Sequence, residues 1–214
     1  MALLSGPAGE QWGMVTAGQA RRLGVSRVDL NRLHSDGSLT GVDGAARVYR
    51  LVGAPEDPDL DPVCAAWLQL GGARTWAERI GDVDAVVSHR SAAHVRGLGD
   101  LIPRAHEFYV PHRRRPRRDD LKLRVRSELT PGEWSVWVGL PVCTVEKIIT
   151  DLLHDYEDES AVAQICRDTL RDGLLTHADL LGLVAGHARD YGHGSAEAMT
   201  AALAGSRGTS NDVR

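Results

Sequence analysis

Cysteine is scarce in this sequence of 214 residues: only Cys64, Cys143 and Cys166 occur, far apart and with no C-x-x-C among them. An odd, scattered set favours reduced core thiols in a cytoplasmic protein over a disulfide framework. Long apolar runs are missing as well. No stretch approaches the roughly 18 residues that a membrane span needs. The opening Met1-Ala-Leu-Leu-Ser-Gly6 has neither the basic segment nor the apolar core of a secretion signal. Nine histidines are present, but His89 and His94 are five apart and His106 and His112 six apart. Neither spacing matches HExxH or a zinc-finger pattern, so no metal and no cofactor is expected. G-x-S-x-G, the P-loop and G-x-G-x-x-G are all absent. A metal-dependent nuclease should carry an acidic residue followed by E-x-K or D-x-K on a strand. Val145-Glu146-Lys147 lacks that form and sits at a helix start. These absences favour a binding protein over an enzyme, and no catalytic residue is assigned.

The bulk values are those of a globular chain: 43% hydrophobic, 25% charged, 23.1 kDa. That size holds one large domain, or a small one and a medium one. The net charge of −4 conceals segregation: +2 over residues 1–54, −4 over 55–103, +6 over 104–126 and −8 over 127–214. Local fields of this kind, rather than the total, decide what a surface attracts.

The most informative stretch runs from Gly13 to Leu51. Thr16 with Gln19 three residues on makes a capping box for one short helix, whose apolar side is Ala20 and Leu23. Gly24 and Val25 break it. Ser26 caps a second helix, and Asp29 suits its positive N-terminal end. At about 100° per residue, Leu30 and Leu33 face the core, while Arg27, Val28, Asn31, Arg32 and Ser35 face outward. Gly37 ends that helix. Leu39 to Val42, a turn at Asp43-Gly44, and Arg47 to Leu51 then form a hairpin. The pattern is that of a winged helix-turn-helix. Its outward face carries cations, an amide and a small apolar tip, suited to phosphates and base edges in a major groove. The candidate DNA-binding set is Thr16, Ser26, Arg27, Val28, Asn31, Arg32, Ser35, Arg47 and Arg50. Such a helix reads few base pairs, so paired half-sites and a homodimer on DNA are expected.

GMVTAGQARRLGVSRVDLNRLHSDGSLTGV followed by RVYRL resembles the N-terminal domain of the AbiEi family, antitoxins of a bacterial abortive-infection toxin–antitoxin system. VVSHRSAAHVRGLGDL and VGLPVCTVEKIITDLL are similar to the second domain of actinobacterial members, and together these segments cover most of residues 12 to 190. The resemblance implies an autorepressor that binds its own promoter at inverted repeats and counteracts a nucleotidyltransferase-like toxin. It also implies that the second domain carries oligomerisation and toxin neutralisation. Two alternatives stay open: an orphan winged-helix regulator without a toxin, and a nucleic-acid-processing enzyme with a divergent active site.

Beyond the hairpin, residues 53–62 hold three prolines and four acids, which reads as a linker. The expected domains are 1–54, DNA-binding; 55–62, linker; 63–204, antitoxin and oligomerisation; and 205–214, a disordered tail. Helices are expected at Val63–Leu70, Thr75–Arg79 and from Ser88, then strands at Glu107–Val110, Leu121–Arg126 and Trp134–Val138. From Thr144, the spacing of Val145, Ile148, Ile149, Leu152 and Leu153 is helical without a miss. Further helices follow over Ser160–Leu170, after Thr176, and over Ala196–Ala204. The fold class is therefore α+β, a winged helix-turn-helix domain followed by a mixed α/β domain with a helical C-terminal half.

Three further segments carry charge or reactive groups. Arg113, Arg114, Arg115, Arg117 and Arg118 crowd one loop, with Lys122 beyond. The loop suits a second contact to the DNA backbone, an acidic partner, or simple solvation. His89-Arg90-Ser91 invites a nucleophile–base reading, but neighbours on a helix point apart, and Ser88 as an N-cap explains the segment. The acidic Asp155, Glu157, Asp158 and Glu159 read as helix ends in solvent, or as a face for the basic loop or a basic partner.

Overall fold

The computed structural model describes residues 2–115, 118–128 and 130–205, and its fold is α+β. The elements are α1 (Ala2–Gly9), β1 (Met14–Thr16), α2 (Ala17–Arg22), α3 (Arg27–Ser35), β2 (Leu39–Val42), β3 (Ala45–Leu51), α4 (Asp61–Gly71), α5 (Trp76–Gly81), β4 (Val86–Val87), α6 (His89–Val95), β5 (His106–Val110), β6 (Leu121–Val125), β7 (Trp134–Trp137), β8 (Leu140–Cys143), α7 (Val145–His154), α8 (Glu159–Arg171), α9 (His177–Val184) and α10 (Ala196–Ala204). The strands form a three-stranded sheet ordered β1-β3-β2 and a five-stranded sheet ordered β6-β5-β4-β8-β7. No helix among the described residues is long and apolar enough to cross a membrane.

The chain divides into two compact units. The first comprises Met1–Val86, Tyr109–Leu129 and Val138–Pro141; the second comprises Val87–Phe108, Thr130–Trp137 and Val142–Arg214. This division differs from the expected one. Residues 55–62, read as a linker, lie inside the first unit, and the reason is Arg50. Its guanidinium donates to the carbonyls of Trp12 (3.2 Å) and Pro55 and pairs with Asp61. The proline-rich segment is thus tied to the sheet at both ends, and α4 starts from Asp61. The expected tail begins at Gly205, and residues 206–214 lie outside the described residues.

The core of the first unit gathers Leu4, Val15, Ala20, Val25, Leu30 and Leu39, with Leu23, Leu33, Tyr49 and Leu51 packed against it. Three elements here escape the sequence patterns. Helix α1 carries Pro7 within its span, and it buries Leu4 and Ala8. Strand β1 is three residues long, too short to alternate, yet all of it is buried against β3. Strand β8 contains Pro141 and is buried throughout, with Val142 opposite Val87 in a parallel pair. The turn before it, Val138-Gly139, has positive φ at both residues (44° and 86°), as a type I′ turn requires. A β-branched residue is strained there. The first unit holds the turn in place, because Trp12 Nε1–H donates to Val138 O (2.9 Å) and Trp76 Nε1–H donates to Gly139 O (2.6 Å). The expected strand Trp134–Val138 therefore ends one residue early.

In the second unit, α7 buries Val145, Ile148, Ile149, Leu152 and Leu153, the five positions its periodicity marks. Helices α8, burying Val162, Ile165 and Cys166, and α9, burying Leu180 and Val184, pack against α7, while α10, burying Met199 and Leu203, packs on α8 and α9. At roughly 1.5–3 kcal/mol per large apolar side chain, this burial is what holds the helical half together.

Candidate nucleic-acid interface

The helix–turn–helix begins with two reciprocal capping boxes. Thr16 Oγ1 accepts the Gln19 N–H (3.1 Å), and Gln19 Oε1 accepts the Thr16 N–H (2.8 Å). Ser26 and Asp29 repeat the arrangement one helix later (3.1 and 3.3 Å). The caps set where each helix starts, and so which residues of α3 turn outward. Leu30 is 2% exposed, while Arg27, Val28, Asn31, Arg32 and Ser35 are all exposed. Val28, at 76%, is a large apolar side chain left in water at the middle of a polar face. Arg32 lies 4.0 Å from Asp29, a spacing along the helix that leaves its head in solvent. Ser26 is exposed too, but its hydroxyl serves the cap: it donates to Asp29 Oδ2 (2.7 Å) and accepts the Asp29 N–H. The far end of α3 is fixed to the hairpin. His34 Nδ1 lies 3.0 Å from Leu39 O, and its ring meets Tyr49 edge-on at 5.9 Å.

Two residues expected at this surface are absent from it. Thr16 is 4% exposed, and beside its capping bond its hydroxyl donates to Gly72 O (2.6 Å). Arg50 is also 4% exposed and is spent on Asp61 and two carbonyls. The cause is common to both: α2 and the sheet carry a further layer, the Gly72–Thr75 turn with the first turn of α5, and the start of α4. Gln19 donates to Arg74 O (2.7 Å), and Arg22 pairs with Glu78 at 2.8 Å and donates to Ala73 O (2.8 Å). The Arg22 guanidinium and the Thr75 N–H hold the Glu78 carboxyl down to about 2. Helix α2 is thus a packed element, and α3 is the outward one. That layer follows the hairpin in sequence, so no pattern within Gly13–Leu51 announces it.

Arg47 is exposed, with a left-handed backbone (φ 65°). The β2–β3 register shows why. Gly41 faces Tyr49 but Val42 faces Ala45, so Ala46, Arg47 and Val48 bulge without partners on β2.

Of the basic loop, Arg113 and Arg115 are exposed, as is Lys122 on β6. Arg114 instead turns inward, donating to Leu70 O (2.9 Å) and approaching Asp84 Oδ2 at 3.3 Å. Arg118 pairs with Asp120 and donates to Gln69 Oε1 (2.7 Å). Arg117 lies outside the described residues. Asp84 serves three guanidiniums at once: Arg79 at 2.6 Å, Arg114 at 3.3 Å and Arg74 at 3.5 Å. Arg79 is fully buried under the Trp67 ring, 3.5 Å from its centroid, and burial lowers it to about 10.

In the second unit, Ser91 Oγ accepts the Glu107 N–H (2.9 Å) and donates to Ala105 O (3.3 Å), a structural role. His89 is buried with φ 51°, its Nε2 3.9 Å from Asp155. Ser88 occupies the N-cap position but makes no side-chain capping bond. Glu107 supplies one from a distance, accepting the Arg90 N–H (3.0 Å). The acidic cluster is engaged locally: Glu157 pairs with Arg90, Asp158 caps α8, and Glu159 lies 2.9 Å from His193.

No family model matches this sequence, and no curated protein matches it. The fold is similar to the crystal structure of the RV2827C protein from Mycobacterium tuberculosis, with a TM-score of 0.52 over 97% of this chain and 80% of that one. Identity is 16%, so the likeness concerns the fold alone.

Proposed function

We propose that this chain is a cytoplasmic, DNA-binding antitoxin that represses its own promoter. In this reading the first unit is a winged helix-turn-helix, α3 enters the major groove, and the hairpin lies over neighbouring phosphates. The chain binds and does not catalyse. Its second partner is a nucleotidyltransferase-like toxin, as the resemblance to the AbiEi family implies.

One observation carries the DNA-binding half. A nine-residue helix keeps Leu30 buried and leaves Arg27, Val28, Asn31, Arg32 and Ser35 exposed on one side. Arginine matches guanine O6 and N7, asparagine matches adenine N6 and N7, and a valine tip suits the thymine methyl. Val28 is one of several exposed apolar side chains, and what supports the reading is its place among Arg27, Asn31 and Arg32 on a single helix face.

The test is a gel shift on DNA upstream of the gene, with unrelated DNA as competitor. Retention against competitor supports a sequence-specific repressor. A shift lost equally to any duplex refutes operator recognition. Coexpression with an adjacent nucleotidyltransferase-like protein then tests the antitoxin: rescue of growth supports it, and unrelieved toxicity leaves an orphan regulator.

A further inference from the structure

We infer that the hairpin tip and the arginines Arg113, Arg114, Arg115 and Arg118 form one composite wing, a single surface for the phosphate backbone of duplex DNA. The inference rests on the DNA-binding reading above and extends it to a loop remote in sequence.

The connection runs through the end of α4. Gln69 Nε2–H donates to Ala46 O, inside the hairpin bulge, at 2.6 Å. Gln69 Oε1 accepts from Arg118 Nη1 at 2.7 Å. Arg118 also reaches the turn itself: a Cβ placed on Gly44 would lie 3.5 Å from its Nη2. Arg114 anchors the same loop one residue further along, on Leu70 O. One glutamine therefore grips the hairpin with its amide nitrogen and the basic loop with its amide oxygen. All of these residues belong to the first unit.

This seating sorts the arginines by task. Arg114 and Arg118 are used inward, which leaves Arg113 and Arg115 exposed on a loop that Gln69 and Arg118 join to the hairpin, whose Arg47 is exposed too. Arg47 holds a backbone conformation that non-glycine residues rarely adopt, and strain of that kind gathers at binding surfaces. Inward neutralisation is incomplete, because Asp84 is shared by Arg74, Arg79 and Arg114. Asp43 and Asp119 are the exposed acids of the two segments, and the residue-104–126 stretch still carries +6. A polyanion with regularly spaced charges fits this surface. It would be gripped without regard to sequence, while α3 supplies the reading.

Fluorescence anisotropy of the full chain tests this, with its own upstream duplex and an unrelated duplex in about 50–200 mM salt. Arg113→Ala/Arg115→Ala should flatten the slope of log K against log salt by about 1.8, and Arg47→Ala by about 0.9, on both duplexes. Across that salt range the wild type would lose roughly 12-fold more affinity than the double variant. Gln69→Leu removes no charge; it should weaken binding and shrink the further effect of Arg113→Ala/Arg115→Ala. An unchanged slope in the double variant, with an Arg27→Ala variant losing discrimination, would overturn the composite wing and leave the DNA reading standing. Unaltered discrimination in Arg27→Ala with a flattened slope in the loop variant would support the composite wing and overturn base reading by α3 alone. Absence of wild-type binding to either duplex would remove both.

Discussion

Replacing Arg50 by alanine separates a structural arginine from a DNA-contacting one. The side chain is 4% exposed, paired with an Asp61 carboxylate that is 17% exposed, and bonded to the Trp12 and Pro55 carbonyls. Deleting one partner of a buried pair costs about 3–5 kcal/mol, because the other charge is stranded. Asp61 keeps some water and sits in the first turn of α4, where the helix end favours a carboxylate. The lower end, about 3 kcal/mol, is therefore expected. For a chain of this length each kcal/mol moves the midpoint by about 2–4 °C, so Arg50→Ala should melt roughly 6–12 °C lower. Arg50→Lys should fall between, since an ammonium cannot span the three acceptors as a guanidinium does. Differential scanning calorimetry reads the shift. An unchanged melting temperature in Arg50→Ala, with weakened DNA binding, would refute the burial argument and return Arg50 to the interface.

Three further outcomes follow from the packing. Gly18→Ala should destabilise by about 1–3 kcal/mol in a chemical melt, against the usual gain of about 1 kcal/mol for this change in a helix. The reason is that a Cβ would lie 2.8 Å from Gly72 O and 3.1 Å from its carbon, both backbone atoms. The Glu78 carboxyl is held down to about 2 when folded, below its ordinary value near 4.5. Its share of stability is present above the unfolded value and lost as pH falls toward 2, so Glu78→Gln should flatten that part of the acid limb. Cys64, Cys143 and Cys166 are buried, and burial pushes the Cys166 thiol up to about 12. A thiol reagent at pH 8 should label none of them before unfolding.

Local rules made much of the fold legible. Both capping boxes, the inward Leu30 and Leu33, the hairpin turn and the whole buried stripe of α7 are written within a few residues of where they act. What escaped was decided at a distance. β1 and β8 owe their strand character to partners, not to alternation, and β8 holds a proline that argues against a strand. Residues 55–62 have a linker's composition, but Arg50 ties both ends of the segment to the sheet, and α4, which starts at Asp61, packs on the same sheet. At the candidate site, the α3 face was readable because helical period fixes its direction. Thr16 and Arg50 are buried, not on that face, because the layer that covers them comes later in the chain. Arg114 and Arg118 look identical to Arg113 and Arg115 in sequence, and only the end of α4 tells them apart.

If the outward face of α3 reads bases, Asn31 is the residue placed to match an adenine edge. A panel of operators substituted one base pair at a time, titrated with wild type and with Asn31→Ala, tests it most directly. Asn31→Ala should lose about 1–3 kcal/mol of discrimination at one A·T position, keep its preferences elsewhere, and bind unrelated DNA as the wild type does. An identical preference profile for the two proteins would contradict it.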